Sequence, residues 1–154
     1  MSDTQANAGI PASALVLGLA GLIPFAAGAL AQWLALPLLA DGAGLKLIVA
    51  SGAIILSFLG GIRWGTAIGP FDQRLQGFEF LASVLGSLVG LVAVFLAAVP
   101  ALALLIAGFL LQALWDVRSV EGGRLPQWFG KLRMLLTAGA VISLVAALVG
   151  VLLT

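Results

Sequence analysis

The chain has 154 residues, of which 62% are hydrophobic and only 8% are charged. A soluble domain has about 25% charged residues, so this chain lacks the polar surface of a water-soluble body, and its solvent must be lipid. Seven Lys or Arg residues against six Asp or Glu residues give a net charge of +1, which excludes the basic excess that nucleic-acid binding requires.

Cysteine, histidine and tyrosine are absent from the chain. The missing residue types exclude disulfides, thiolate nucleophiles, His-ligated haem and the usual zinc and non-haem iron sites. They also exclude every Ser-His and Cys-His catalytic arrangement. We therefore expect a protein that is not an enzyme and that holds no metal and no cofactor.

Five apolar segments follow one another along the chain, and each approaches the roughly 20 residues that a membrane span needs. Pro24 lies inside the first segment and predicts a kink, and Pro100 separates the third from the fourth. We predict an all-α integral membrane bundle in a single transmembrane domain covering residues 1–154. A short polar tail at 1–10 would precede helices at about 11–36, 45–68, 77–98, 100–117 and 131–154.

The charges between the spans predict the orientation of the chain. Five crossings would alternate the loops between the two sides of the membrane. The N-terminal side would hold Arg63, Arg74, Arg118, Arg124, Lys131 and Arg133, and the other side only Lys46. Because cytoplasmic loops are enriched in Lys and Arg, we predict a cytoplasmic N-terminus and a C-terminus on the opposite side.

The stretch LSFLGGIRWG at 56–65 places a permanent charge, Arg63, in an apolar run. One interpretation is an interfacial anchor, with Arg63 reaching the headgroups beside Trp64. The other is a buried or crevice-facing arginine with Asp116 as its ionic partner, since such pairs are directional. Under the second interpretation, the sequence predicts a ligand-binding cluster of Arg63, Trp64, Asp116, Trp128 and Arg133.

Small residues recur at helical spacing in the second and third predicted helices. Such strips let helix backbones approach closely in lipid. They predict close packing of these helices against their neighbours. The residues concerned are Ala53, Ser57, Gly61 and Gly65, with Gly60 beside them, and Gly86 and Gly90 in the next helix.

Several blocks of the chain resemble those of a known family. They are GAIILSFLGGIRWG at 52–65 and LPQWFGKLRMLLT at 125–137, together with IPF at 23–25 and GFLLQALWD at 108–116. The chain thereby resembles domain-of-unknown-function family 3429, the transmembrane protein 69-like integral membrane proteins, over nearly all its length after residue 10. The resemblance implies a small helical protein of bacterial inner membranes or, in animals, of mitochondria. It implies no particular activity, cofactor or catalytic residue.

Three functional hypotheses fit these features. The first is a non-enzymatic accessory or assembly factor of a membrane complex, because small-residue strips accompany almost no reactive side chains. The second is a lipid- or quinone-binding protein that uses the predicted cluster, because such ligands suit apolar walls with a few polar groups. The third is a small transporter or channel subunit. We expect a multi-pass protein of the bacterial inner membrane, with the lipid bilayer and another membrane protein or a second copy as partners.

Overall fold

A computed structural model describes residues 9–34, 42–69 and 73–153, and these residues form helices and no strand. The helices are α1 (Ala12–Ala20), α2 (Ile23–Leu30), α3 (Ala43–Ile68), α4 (Gln73–Phe95), α5 (Ala98–Glu121) and α6 (Gln127–Leu153).

Five stretches of the described chain are long and apolar enough to cross a membrane, with α1 and α2 together forming the first, Ala12–Leu30. The predicted all-α bundle of five spans is therefore confirmed. Most of the predicted polar tail and the predicted end of the first span at 35–36 lie outside the described residues. The orientation of the two termini stays a prediction.

The first span is divided at Gly21 and Leu22, between α1 and α2. Pro24 lies in the first turn of α2, where its missing N–H costs nothing. Its ring would clash with the carbonyl group four residues earlier in a continuous helix. That carbonyl belongs to Ala20, the last residue of α1. The predicted kink thus takes the form of a break that precedes the proline by one turn.

The connection between α5 and α6 is shorter than predicted. Helix α5 continues to Glu121 and α6 already begins at Gln127, because both helices extend beyond their apolar segments. Gly123 adopts a φ of 71°, a left-handed conformation that suits glycine. The turn ends α5 and directs Arg124 back towards the bundle, where its backbone N–H donates to the carbonyl of Ser119 at 2.9 Å.

Helix α3 is the central element of the bundle. It packs most extensively against α4 and also contacts α2 and α5, while α5 packs against α6. One apolar core joins these helices. Its fully buried large side chains are Phe25, Ile48, Leu56, Leu102, Leu105, Phe109 and Leu144.

Helices α3 and α4 meet along what we call the close seam, which contains Gly60, Gly86 and Gly90. A Cβ added at Gly86 would lie 2.5 Å from the carbonyl oxygen of Leu56, and one at Gly90 would lie 2.8 Å from that of Ala53. A Cβ at Gly60 would collide with the carbonyl oxygen of Ser83. The backbones therefore approach as closely as glycine permits.

The strip that continues from Ala53 and Ser57 does not belong wholly to this seam. Ser57 reaches α4, where its Oγ lies 2.9 Å from Oγ of Ser87. Gly61 and Gly65 are exposed, and a Cβ at either would meet no described atom within 4 Å. The prediction that both pack against a neighbouring helix is wrong for the described chain. The face of α3 that packs against α4 passes through Gly60, one residue before Gly61. The spacing of small residues alone does not distinguish between these two faces.

Candidate functional site

Charged side chains are buried together at one end of the bundle, which we call the arginine end. Arg63 on α3, Glu79 on α4, Asp116 on α5 and Arg133 on α6 each expose 6% or less of their surface. Buried charges in a membrane bundle are costly and mark functional candidates. Four helices thus each contribute one of these groups.

Asp116 forms its ion pair with Arg133. Nε of Arg133 donates to Oδ2 of Asp116 at 2.7 Å, and both side chains are almost fully buried. The pair connects α5 to α6. The predicted direct pairing of Asp116 with Arg63 is therefore wrong, because the helix that places a cation against Asp116 is α6 and not α3.

Arg63 lies against an aromatic ring. Its Cζ is 4.3 Å from the ring centroid of Trp115, a favourable position for a cation over an indole face. The ring of Phe78 lies 5.2 Å from that of Trp115, between centroids. Arg63 is only 6% exposed, so the anchor interpretation is wrong: the side chain packs into the bundle. Its Nε has no hydrogen-bond partner among the described residues.

A second ion pair at the arginine end joins α4 to the turn after α5. Arg124 donates to Glu79 in an ion pair in which Glu79 is buried and Arg124 partly exposed. Trp64 lies apart from these groups, with 48% of its surface exposed and its ring 4.7 Å from that of Phe80. The predicted cluster is thus divided, with Trp64 on the outer surface.

A cavity of about 450 Å³ opens between the first span, α3 and α6. We call it the Arg133 cavity, because Arg133 is the one charged residue among its described lining. Trp128 lines it too, so the structure brings these two predicted residues to one site. Aromatic and aliphatic side chains make up the rest of the lining. Among them are Ala14, Phe25, Phe58, Phe109, Phe129 and Leu136.

Two buried polar atoms on α6 lack a hydrogen-bond partner among the described residues, and only the first belongs to a residue that lines the cavity. They are Nη2 of Arg133 and Oγ1 of Thr137, and the two residues are one turn apart on α6. Arg133 therefore donates from Nε to Asp116, while its Nη2 donates to no described residue. A buried donor without an acceptor costs about 1–3 kcal/mol, so the arrangement favours the entry of an acceptor.

Sequence reasoning missed several residues of the site. Phe25 and Phe109 form the buried wall of the cavity with ring centroids 5.7 Å apart, although both lie within blocks that marked the family resemblance. Trp115 was overlooked beside Asp116.

A helical bundle with buried charges at one end and an apolar cavity in its side defines the class: an integral, multi-pass α-helical membrane protein with a candidate site for an apolar molecule. The chain matches the family described as Protein of unknown function (DUF3429) over residues 10–149. It belongs to that family, as the resemblance of its sequence blocks had predicted.

A curated relative gives the same result. The chain is 36% identical over 156 residues to Transmembrane protein 69 of Xenopus tropicalis. The matched region covers 96% of this chain but 58% of the relative, so the chain spans little more than half of that protein's length. No solved structure matches the chain significantly.

Proposed function

We propose that this chain is a non-enzymatic membrane protein that binds one long-chain lipid-class molecule in the Arg133 cavity. The observation that supports this proposal is a buried arginine with unused donors beside an otherwise apolar cavity. A volume of about 450 Å³ lies within the range of about 300–1,000 Å³ that is typical of small-molecule sites. The chain of the ligand would lie against the phenylalanines and its polar end against Arg133.

The cavity also fits the membrane setting of such a ligand. Its walls come from the first span and from α3 and α6, all of which are candidate membrane spans. A lipid-class molecule reaches such a cavity from the surrounding bilayer. The polar end needs a fixed donor in a site where water is scarce, and Arg133 supplies one while Asp116 holds it in place.

The test is native mass spectrometry of the protein extracted gently from its own membrane. We expect a reproducible small adduct that is lost in Ala14→Trp, because the new indole would fill the cavity that Ala14 lines. The matched control is Ala20→Trp, since Ala20 lies on the same helix but is exposed outside the cavity. An adduct that persists in Ala14→Trp, or is never seen, contradicts the proposal.

A second candidate function is that of an accessory factor that packs against another membrane protein. The observation that favours it is the exposure of Gly61 and Gly65, four residues apart on the outer surface of α3. Small residues at this spacing let a helix of another chain approach closely.

Large residues on this surface test the accessory role. We expect Gly61→Ile with Gly65→Ile to remove a co-extracted protein, and Ala138→Ile, at an exposed position on α6, to retain it. Recovery of the same co-extracted protein with both sets of variants contradicts this role, as does a wild-type protein that carries none.

We propose further that the chain lies in a bacterial inner membrane with the arginine end towards the cytoplasm. The supporting observation is the uneven division of basic residues between the two sides. Because the chain has no cysteine, single cysteines report the orientation directly. An impermeant thiol reagent applied outside intact cells should label Lys46→Cys, and it should label Glu121→Cys only after permeabilisation. The reverse pattern overturns the orientation.

A further inference from the structure

We propose that the ligand of the Arg133 cavity is an uncharged isoprenoid-type or acyl-type molecule whose polar end is a carbonyl oxygen, as in a quinone. This inference rests on the binding function proposed above. It names the chemistry of the polar end, which the size and apolar walls of the cavity leave open.

The first step concerns hydrogen-bond direction. Arg133 and Trp128 are the residues with polar side chains among the described lining of the cavity. Arginine and the tryptophan indole can donate hydrogen bonds but cannot accept them. The side chains that line the cavity therefore offer donors and no acceptor. A ligand with an acceptor at its polar end satisfies them, whereas an amine gains no partner there.

The second step concerns charge. The guanidinium of Arg133 is already balanced by Asp116, whose Oδ2 accepts from its Nε at 2.7 Å, and the two residues are 4% and 2% exposed. A phosphate or carboxylate placed against Nη2 of Arg133 would lie near the negative charge of Asp116 in a medium of low polarity. Like charges repel strongly in such a medium. An uncharged acceptor avoids this repulsion and still takes the unused N–H.

The other charged groups of the arginine end lie outside the described lining of the cavity. Arg63 lies over the ring of Trp115, and its positive charge also acts on Asp116, while Glu79 is paired with Arg124.

Water is a poor substitute for the ligand. A buried water is held by about two to four polar partners, and the described lining provides only the donors of Arg133 and Trp128. The remaining walls are apolar. A carbonyl at the end of an apolar molecule fits both parts of the cavity at once.

The experiment compares two probes on the full chain, purified in detergent and freed of lipid. The probes are decylubiquinone, which is uncharged and carries carbonyls, and a short-chain phosphatidylglycerol, which is anionic. Dissociation constants are measured for each by native mass spectrometry. We expect the wild-type chain to bind decylubiquinone at least about tenfold more tightly, a difference of about 1.4 kcal/mol.

Asp116→Asn tests the charge argument. It keeps an oxygen acceptor for Arg133 but removes the balancing charge, so we expect the preference to move at least about tenfold towards phosphatidylglycerol. Arg133→Lys should weaken decylubiquinone binding about tenfold, because an ammonium lacks the fork that serves Asp116 and a ligand together. Arg118→Lys is the matched control, since Arg118 is exposed outside the cavity, and should change neither constant.

The outcomes separate this inference from the function on which it rests. If phosphatidylglycerol binds the wild-type chain more tightly and Ala14→Trp abolishes that binding, the cavity binds lipid but the uncharged-ligand inference is overturned. An Asp116→Asn variant with an unchanged preference overturns it as well. If neither probe binds the wild-type chain better than it binds Ala14→Trp, the proposed function and the inference both fail.

Discussion

The two sides of α3 are packed in opposite ways. On one side the close seam brings α3 against α4 until the backbone carbonyl of Ser83 leaves no room for a Cβ at Gly60. On the other side, the large side chains of Phe58 and Ile62 face the first span and α6 across a cavity of about 450 Å³. The same helix therefore forms the close seam on one side and one wall of the Arg133 cavity on the other.

This difference shows how residue size determines which interactions hold neighbouring helices together in a membrane bundle. Apolar burial drives helices together only weakly in lipid, so association relies on close van der Waals contact and polar links. Glycines provide that contact at the close seam. Around the cavity, where large side chains keep the helices apart, the ion pair between Asp116 and Arg133 supplies a link from α5 to α6. The two sides should respond differently to substitution.

The largest effect is expected where the polar link is broken. Asp116→Ala leaves the charge of Arg133 buried without its partner, and the loss of one member of such a pair costs about 3–5 kcal/mol. Reversible unfolding in mixed micelles should show a loss of that size. Asp116→Asn, which keeps an acceptor, should cost clearly less. Equal stability of Asp116→Ala and the wild type would mean that the cavity side does not depend on this link.

A smaller loss is expected at the close seam. Gly60→Ala places a methyl group against the carbonyl of Ser83 and forces the backbones apart, at the cost of about 1–3 kcal/mol that overpacking brings. Gly61→Ala is the matched control, because the neighbouring Cβ enters open space and alanine favours the helix. Both variants are measured in the same unfolding assay. Equal losses of stability would contradict the close packing predicted at Gly60.

The fold followed from the sequence because its signals are strong and local. Long apolar runs set the number of spans, and Pro24 placed the break in the first one. The site was predicted only in part, because spacing along one helix does not reveal which neighbour it faces. Arg133 was part of the predicted cluster, but its pairing with Asp116 depends on the packing of α6 against α5. The exposure of Gly61 depends in the same way on the rotation of α3.

A still smaller loss of stability is expected when the aromatic contact of Arg63 is removed. Trp115→Leu keeps an apolar side chain but removes the ring that faces the guanidinium, a contact worth about 0.5–2 kcal/mol. The unfolding assay should register a loss in this range. A double-mutant cycle with Arg63→Met separates the cation–ring contact from the lost packing of the indole. A coupling energy near zero would show that Arg63 gains nothing from Trp115.

The smallest effect is expected at the ion pair between Glu79 and Arg124, which joins α4 to the turn after α5. Arg124 is 27% exposed at its side chain, so solvent and salt weaken its attraction, and pairs near the surface contribute about 0.2–1 kcal/mol. Arg124→Gln should lose no more than this, because its amide can still donate to the buried carboxylate of Glu79, and the loss should shrink as salt is added. Arg118→Gln, at an exposed position on α5, is the matched control and should lose less. A loss from Arg124→Gln as large as that from Asp116→Ala would show that the turn contributes as much to the arginine end as the buried pair does.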